Sequence, residues 1–142
     1  MLKMTLVTPT RKILMDAEVE ELFVPAYRGE LNILEGHAGL VTTLSTGVLR
    51  YRLKGSSQVM RAAISWGYCE VSNDIVNVLA ETAELPEEID KKRAEETIQE
   101  NEAKLSSPST TPSEIIKYQN KIKRAHARLQ VLDEKSHDRA GV

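Results

Sequence analysis

Two hydrophobic rhythms divide the chain, and they change over at Pro86. Before it, apolar residues come in short β-prone pieces: Lys3 to Thr8, Glu18 to Pro25, Val48 to Leu53, Gln58 to Ile64, Tyr68 to Ser72 and Ile75 to Leu79. Within the second piece Val19, Glu21 and Phe23 alternate with Glu20, Leu22 and Val24, the two-residue period of a strand. Turn signals separate the pieces at Thr8-Pro9, Tyr27-Arg28-Gly29, Lys54-Gly55-Ser56-Ser57 and Asn73-Asp74. From Gly29 to Leu40, three glycines and His37 punctuate a short apolar run, which predicts a turn, a short strand and a second tight turn. Many short strands at near-regular spacing predict a sandwich or barrel-like domain over residues 1–85.

After Pro86 the period is helical. Pro86-Glu87-Glu88 places a proline and two carboxylates where a helix N-terminus tolerates the one and favours the others. A helix is predicted from there to Leu105, with Ile89, Ala94, Ile98 and Leu105 as a sparse apolar stripe. Ser106-Ser107-Pro108-Ser109-Thr110 breaks it, and Thr111-Pro112-Ser113-Glu114 spells a capping box for a second helix. That helix carries Ile115, Tyr118, Ile122, Ala125, Leu129 and Leu132 in alternating steps of three and four, a heptad seam. Two helices joined by a short loop predict an antiparallel hairpin over residues 86–142, so the fold class is β followed by α.

Charge sharpens this picture. Pro86 to Leu105 holds seven acids and four bases, whereas Ser113 to Leu132 holds five bases and one acid. Helix pairing with a solvated face accounts for the asymmetry. A second reading makes Lys117, Lys121, Lys123, Arg124 and Arg128 a basic ridge that docks on an acidic partner when the hairpin opens. The seam is narrow, so the hairpin is expected to be marginal alone.

With 142 residues, 41% hydrophobic and 28% charged, the chain has the composition of a globular protein. Its apolar runs are too short for a membrane-spanning helix, and its N-terminal residues lack a signal-peptide plan. The chain is therefore expected in the cytosol, or at a membrane only through partners. A net charge of −2 gives no case for nucleic acid. The single cysteine, Cys69, excludes an intrachain disulfide. No phosphate-cradling glycine loop, nucleophile elbow or His-Glu-x-x-His is present, and His37, His126 and His137 are scattered, so no enzyme or metal site is expected.

The segment Gly29-Glu30-Leu31-Asn32-Ile33-Leu34-Glu35-Gly36-His37-Ala38-Gly39-Leu40 resembles a signature of the ε subunit of F-type rotary ATP synthases. Val7-Thr8-Pro9, Ser65-Trp66-Gly67-Tyr68-Cys69-Glu70-Val71 and Val78-Leu79-Ala80-Glu81-Thr82-Ala83 agree with it, and the resemblance covers essentially the whole chain. Two departures stand out: Glu35 where members commonly carry proline, and Trp66 where they carry glycine. The resemblance implies a non-catalytic rotor subunit of a proton-translocating synthase. Its β domain would hold the γ subunit and sit on the c-ring of the membrane sector, with Glu30 facing the ring and His37 near γ. Its hairpin would fold on the β domain, or extend towards the α/β catalytic subunits and block hydrolysis. The implied location is the cytoplasmic face of a bacterial plasma membrane, or alternatively a plastid thylakoid membrane.

Ile89-Asp90-Lys91-Lys92-Arg93-Ala94 further resembles the motif by which some bacterial ε subunits bind ATP. With the hairpin loop centred on Ser109, Arg93 falls opposite Ala125, bracketed by Arg124 and Arg128, so three guanidiniums converge. The nucleotide candidates are Glu84, Ile89, Asp90, Arg93, Ala94, Arg124 and Arg128. Regulatory ATP with magnesium is the implied ligand, and no cofactor is required. Glu100, where ATP-binding relatives carry arginine, predicts weak binding and a pairing with Lys117 or Lys121. Two rival readings stay open: a coiled-coil homodimer closing the seam between copies, and an ATP-sensing regulator outside any rotary complex. A rotor subunit isolated alone is expected to be a monomer.

Overall fold

The computed structural model describes residues 1–140, with side chains to Asp138. Seven strands come first: β1 (Leu2–Val7), β2 (Lys12–Ala26), β3 (Gly29–Leu34), β4 (Leu40–Leu44), β5 (Gly47–Leu53), β6 (Met60–Ser72) and β7 (Ile75–Glu84). The long strands β2 and β6 serve both layers by changing partner along their length. β2 pairs with β1 through its first half and with β5 and β3 through its second. β6 pairs with β5 from Met60 to Ile64 and with β4 from Gly67 to Val71, and β7 runs along its other side. β7 then lies parallel to β1, which closes the ring of pairings β1–β2–β5–β6–β7. The resulting β-sandwich wraps one core in which Leu2, Met4, Leu6, Leu22, Ile33, Leu49 and Val76 are wholly buried. Each such side chain contributes about 1.5 to 3 kcal/mol on leaving water.

The structure corrects several expected boundaries. β2 begins at Lys12 rather than Glu18, because a hairpin with β1 pairs Leu14 with Leu6 and Lys12 with Val7. The pieces Gln58–Ile64 and Tyr68–Ser72 are one strand, bent where Trp66 (φ 38°) and Gly67 (φ 138°) take positive angles. β7 passes Leu79 and runs through the acidic stretch to Glu84. β4 had no clear period, since its Val41 is 71% exposed beside two threonines.

Pro86–Glu88 forms a short 3-10 turn, not the first turn of the helix. Asp90, in extended backbone, accepts from the Arg93 amide at 3.1 Å and so starts α1 (Lys91–Leu105). Leu85, before the proline, has no side-chain oxygen to accept from the first-turn amides, whereas Asp90 has one. Ile89 therefore leaves the helical stripe and packs with Val48, Ala63, Ala127 and Val131. α2 (Pro112–Ala140) begins with the expected capping box: Glu114 N–H donates to Thr111 Oγ1 and Thr111 N–H to Glu114 Oε1, both at 3.3 Å.

α2 has two buried stripes rather than one seam. Towards α1 it buries Ala125, while Ile115, Tyr118, Ile122, Leu129 and Leu132 are only half-buried. Towards the sandwich it turns Ala127 and Val131 onto β5 and β6. The second stripe continues at helical spacing into Glu134 and Asp138.

Candidate functional site

A cleft of about 470 Å³ opens between α1 and α2 beside the end of β7. Glu84, Asp90, Arg93, Ala94, Arg124 and Arg128 line it together; Ile89 does not, being turned to the sandwich. The guanidiniums are held in different ways. Arg128 Nε and Nη2 both donate to Glu84 Oε1, at 2.9 and 2.6 Å. Arg124 makes no ion pair among the described residues; its guanidinium lies 5.5 Å from the centre of the Trp66 ring. Glu100 also lines the cleft, and the expected pairing with Lys117 or Lys121 is not formed within 4.0 Å.

Asn101 is 3% exposed between the helices. Its Nδ2 donates to the Thr97 carbonyl at 2.7 Å, and its Oδ1 has no partner among the described residues. An orphaned buried acceptor costs about 1 to 3 kcal/mol. Asn101→Leu is therefore expected to stabilise the hairpin by about 1 kcal/mol, read as a higher thermal midpoint.

A second cluster joins the hairpin to the sandwich. Alternation on β5 sends Leu49 and Tyr51 into the core and Val48 and Arg50 outwards; β6 does the same with Ala62 and Ile64 against Arg61 and Ala63. The register pairs Val48 with Ala63 and Arg50 with Arg61, so a small apolar patch adjoins two arginines facing each other across strands. Like charges so placed repel. α2 resolves this with Glu134, which accepts from Arg50 Nε at 2.6 Å and Nη2 at 2.8 Å, and from Arg61 Nε at 3.4 Å. Asp138 pairs with Arg61 as well, whose side chain is only 8% exposed. Burial pushes the Glu134 carboxyl up, but the Arg50 hydrogen bond and the charges of Arg50 and Arg61 outweigh it and hold the group below its ordinary value. Sequence reasoning missed all four residues; the available signal was an outward arginine on each of two neighbouring strands.

Glu30 and His37 lie away from the cleft. Glu30 pairs with Arg50, which thereby bridges the start of β3 to Glu134 on α2. His37 sits in the turn after β3, its amide donating to the Leu34 carbonyl at 3.0 Å and its Nδ1 2.8 Å from the Ala38 carbonyl. Gly36 (φ 81°) in the same turn donates to Asp74 Oδ1 at 2.7 Å, tying the turn to the β6–β7 hairpin.

The two-part architecture matches two family models in register: the ATP synthase delta/epsilon chain β-sandwich domain over residues 1–86, and the delta/epsilon chain long α-helix domain over residues 87–133. The chain belongs to the delta/epsilon family of ATP synthase subunits. Among relatives, the ATP synthase epsilon chain of Bdellovibrio bacteriovorus is 44% identical over 133 residues, covering 94% of this chain and 95% of that one. The epsilon chain of Geobacter sulfurreducens is 42% identical, with 92% of each covered. Among solved structures, a chain of the Euglena gracilis mitochondrial ATP synthase (OSCP/F1/c-ring, rotational state 1) superimposes with a TM-score of 0.81 at 25% identity, covering 91% of this chain and 79% of that one. A chain of the Tetrahymena thermophila central stalk and c-ring shares the fold, with a TM-score of 0.58 at 14% identity. Like its family, the chain is a β-sandwich followed by two helices. Among the described residues no helix is long and apolar enough to cross a membrane.

Proposed function

We propose that the chain is the ε subunit of a proton-translocating F-type ATP synthase: a non-catalytic central-stalk component that couples c-ring rotation to the catalytic head. The sandwich, residues 1–85, binds γ and the c-ring through the surface that includes Glu30 and His37. The hairpin, residues 86–142, is the regulatory part. Extended, it engages the α/β catalytic subunits through its basic second helix and inhibits hydrolysis. The subunit reaches the cytoplasmic face of a bacterial plasma membrane through its partners, and is a monomer when isolated. The observation that carries this reading is that a family match over residues 1–133 coincides with a hairpin held to its sandwich by a small apolar patch and a few ion pairs. Such a contact is strong enough to populate a closed form and weak enough to release.

We further propose that the cleft takes ATP with magnesium, weakly. Arg93, Arg124 and Arg128 supply guanidiniums suited to a triphosphate. Against that, Arg128 is already neutralised by Glu84, and Glu100 adds a carboxylate to the wall. Because both helices line the cleft, ligand favours the closed hairpin, by about 1.4 kcal/mol at ten times its Kd.

Co-purification with γ is the direct test of the rotor reading. A stoichiometric complex is expected, formed equally by a chain ending before Pro86; a homodimer indifferent to γ would overturn it. For the nucleotide, isothermal titration should give heat at millimolar MgATP, and none would remove that part.

A further inference from the structure

The one tryptophan of the chain, Trp66, is outside the sandwich core and does not line the cleft itself, but its ring lies 5.5 Å from the guanidinium of Arg124, which does. It sits where β6 bends, in the left-handed region at φ 38°, where bulky residues are seldom found. The next residue, Gly67, has φ 138°, and any side chain there would lie 1.8 Å from the Leu79 carbonyl oxygen. β7 pairs with Ser65 and Gly67 on either side of Trp66, and Arg124 on α2 sits over the indole ring.

We propose that Trp66 is a positioning residue: it aligns Arg124 for a phosphate-bearing ligand in the α1–α2 cleft while leaving its charge and donors available. The proposal rests on the nucleotide reading above. A guanidinium carries its N–H donors in its plane, around the edge. Pairing with a carboxylate consumes that edge, as Glu84 does to Arg128 through Nε and Nη2. An aromatic face instead takes the flat side, by attraction to the ring quadrupole, and leaves the edge open. Arg124 is thus attracted to the ring without being neutralised by a carboxylate, in a cleft whose other wall carries Glu100. Trp66 comes from the sandwich and Arg124 from the hairpin, so the aligned pair exists only when the two parts are docked. Ligand capture and hairpin closure are coupled through this contact.

The test uses the full chain and two probes, MgATP and magnesium tripolyphosphate, the second isolating the phosphate part. Affinities are measured by calorimetry for the native chain, Trp66→Phe and Trp66→Leu, with thermal midpoints recorded alongside. Native protein should bind both probes, with a change in Trp66 emission that is lost in Arg124→Gln. Trp66→Phe keeps an aromatic face and should bind within about twofold, while Trp66→Leu keeps apolar bulk alone and should bind about fivefold more weakly at an unchanged midpoint. Equal binding by native chain and Trp66→Leu would overturn the role of Trp66 and leave the nucleotide reading standing, as would equal weakening in Phe and Leu variants. Absence of binding by the native chain would remove the nucleotide reading and the positioning role together.

Discussion

Replacing Glu134 by alanine is expected to release the hairpin from the sandwich. The substitution leaves Arg50 and Arg61 facing each other across β5 and β6 with their shared carboxylate gone, and Arg61 is nearly buried at 8% exposure. Breaking a buried pair by removing one partner costs about 3 to 5 kcal/mol. Glu134 keeps 23% exposure, so a loss of about 2 kcal/mol is the reasonable figure, or about thirtyfold in the ratio of docked to undocked hairpin. The sandwich core is untouched, so the effect should appear as faster hydrogen exchange in α2 rather than as unfolding of the strands. Glu20→Ala removes a partner of Arg52 within the sandwich and should leave docking unchanged. In a reconstituted complex the proposed function adds a consequence: Glu134→Ala should inhibit hydrolysis more strongly than the native chain, because the extended form is no longer held back.

The same cluster sets a pH dependence. Glu134 is held below its ordinary value as described, and Asp138 is likewise lowered, chiefly by its hydrogen bond from Arg61. A group whose folded pKa is depressed contributes stability above its unfolded pKa and loses it as pH falls through the folded value. Docking is therefore expected to be constant at neutral pH. It should begin to weaken only as pH falls below the ordinary carboxylate range, about 3.9 to 4.3, and Glu134→Gln should abolish most of that dependence.

Gly67→Ala is expected to unfold the sandwich locally and lower its thermal midpoint sharply. The added Cβ would lie 1.8 Å from the Leu79 carbonyl oxygen and 2.9 Å from Ala80 Cα, both backbone atoms of the paired strand that no rotamer change can move aside. The φ of 138° is itself unsuited to any L side chain. Strain and overpacking together amount to about 3 kcal/mol or more, set against a typical total of about 5 to 15 kcal/mol. Gly36→Ala offers the contrast. Its φ of 81° carries strain, but nothing lies within 4 Å of the added carbon, so a loss of about 1 kcal/mol is expected.

What could be read from the chain, and what could not, follows from the range of the interactions involved. The capping box at Thr111 and Glu114, the turn at Gly36-His37 and the end of the strands just before Pro86 are local, and the structure has each of them where the residues say. The start of α1 was misplaced because two local signals competed: the proline and carboxylates at Pro86 make only a 3-10 turn, and the aspartate cap at Asp90 begins the α-helix. Ile89 moved from the hairpin stripe to the sandwich face as a result. Counting across the hairpin brought Arg93, Arg124 and Arg128 to one place, since an antiparallel pair fixes its own register. The ion pairs were not legible, although Glu84 was itself a candidate. Glu84 reaches Arg128 across 44 positions, and Glu134 reaches Arg50 across 84, distances at which sequence pattern carries no register. Trp66 registered as a departure from a glycine position, and only its place in space reveals Arg124 beside it.

The most direct measurement is the distance between the sandwich and the end of α2, read by spin labels on cysteines introduced at the exposed Ser57 and Ser136. The native Cys69 does not interfere, being fully buried with its thiol pushed up to about 11. One short, narrow distance is expected for the isolated chain at neutral pH. A second, long population should appear in Glu134→Ala, and in the native chain once it is assembled with γ and the catalytic head. A short distance that persists unchanged in all three would contradict a releasable hairpin.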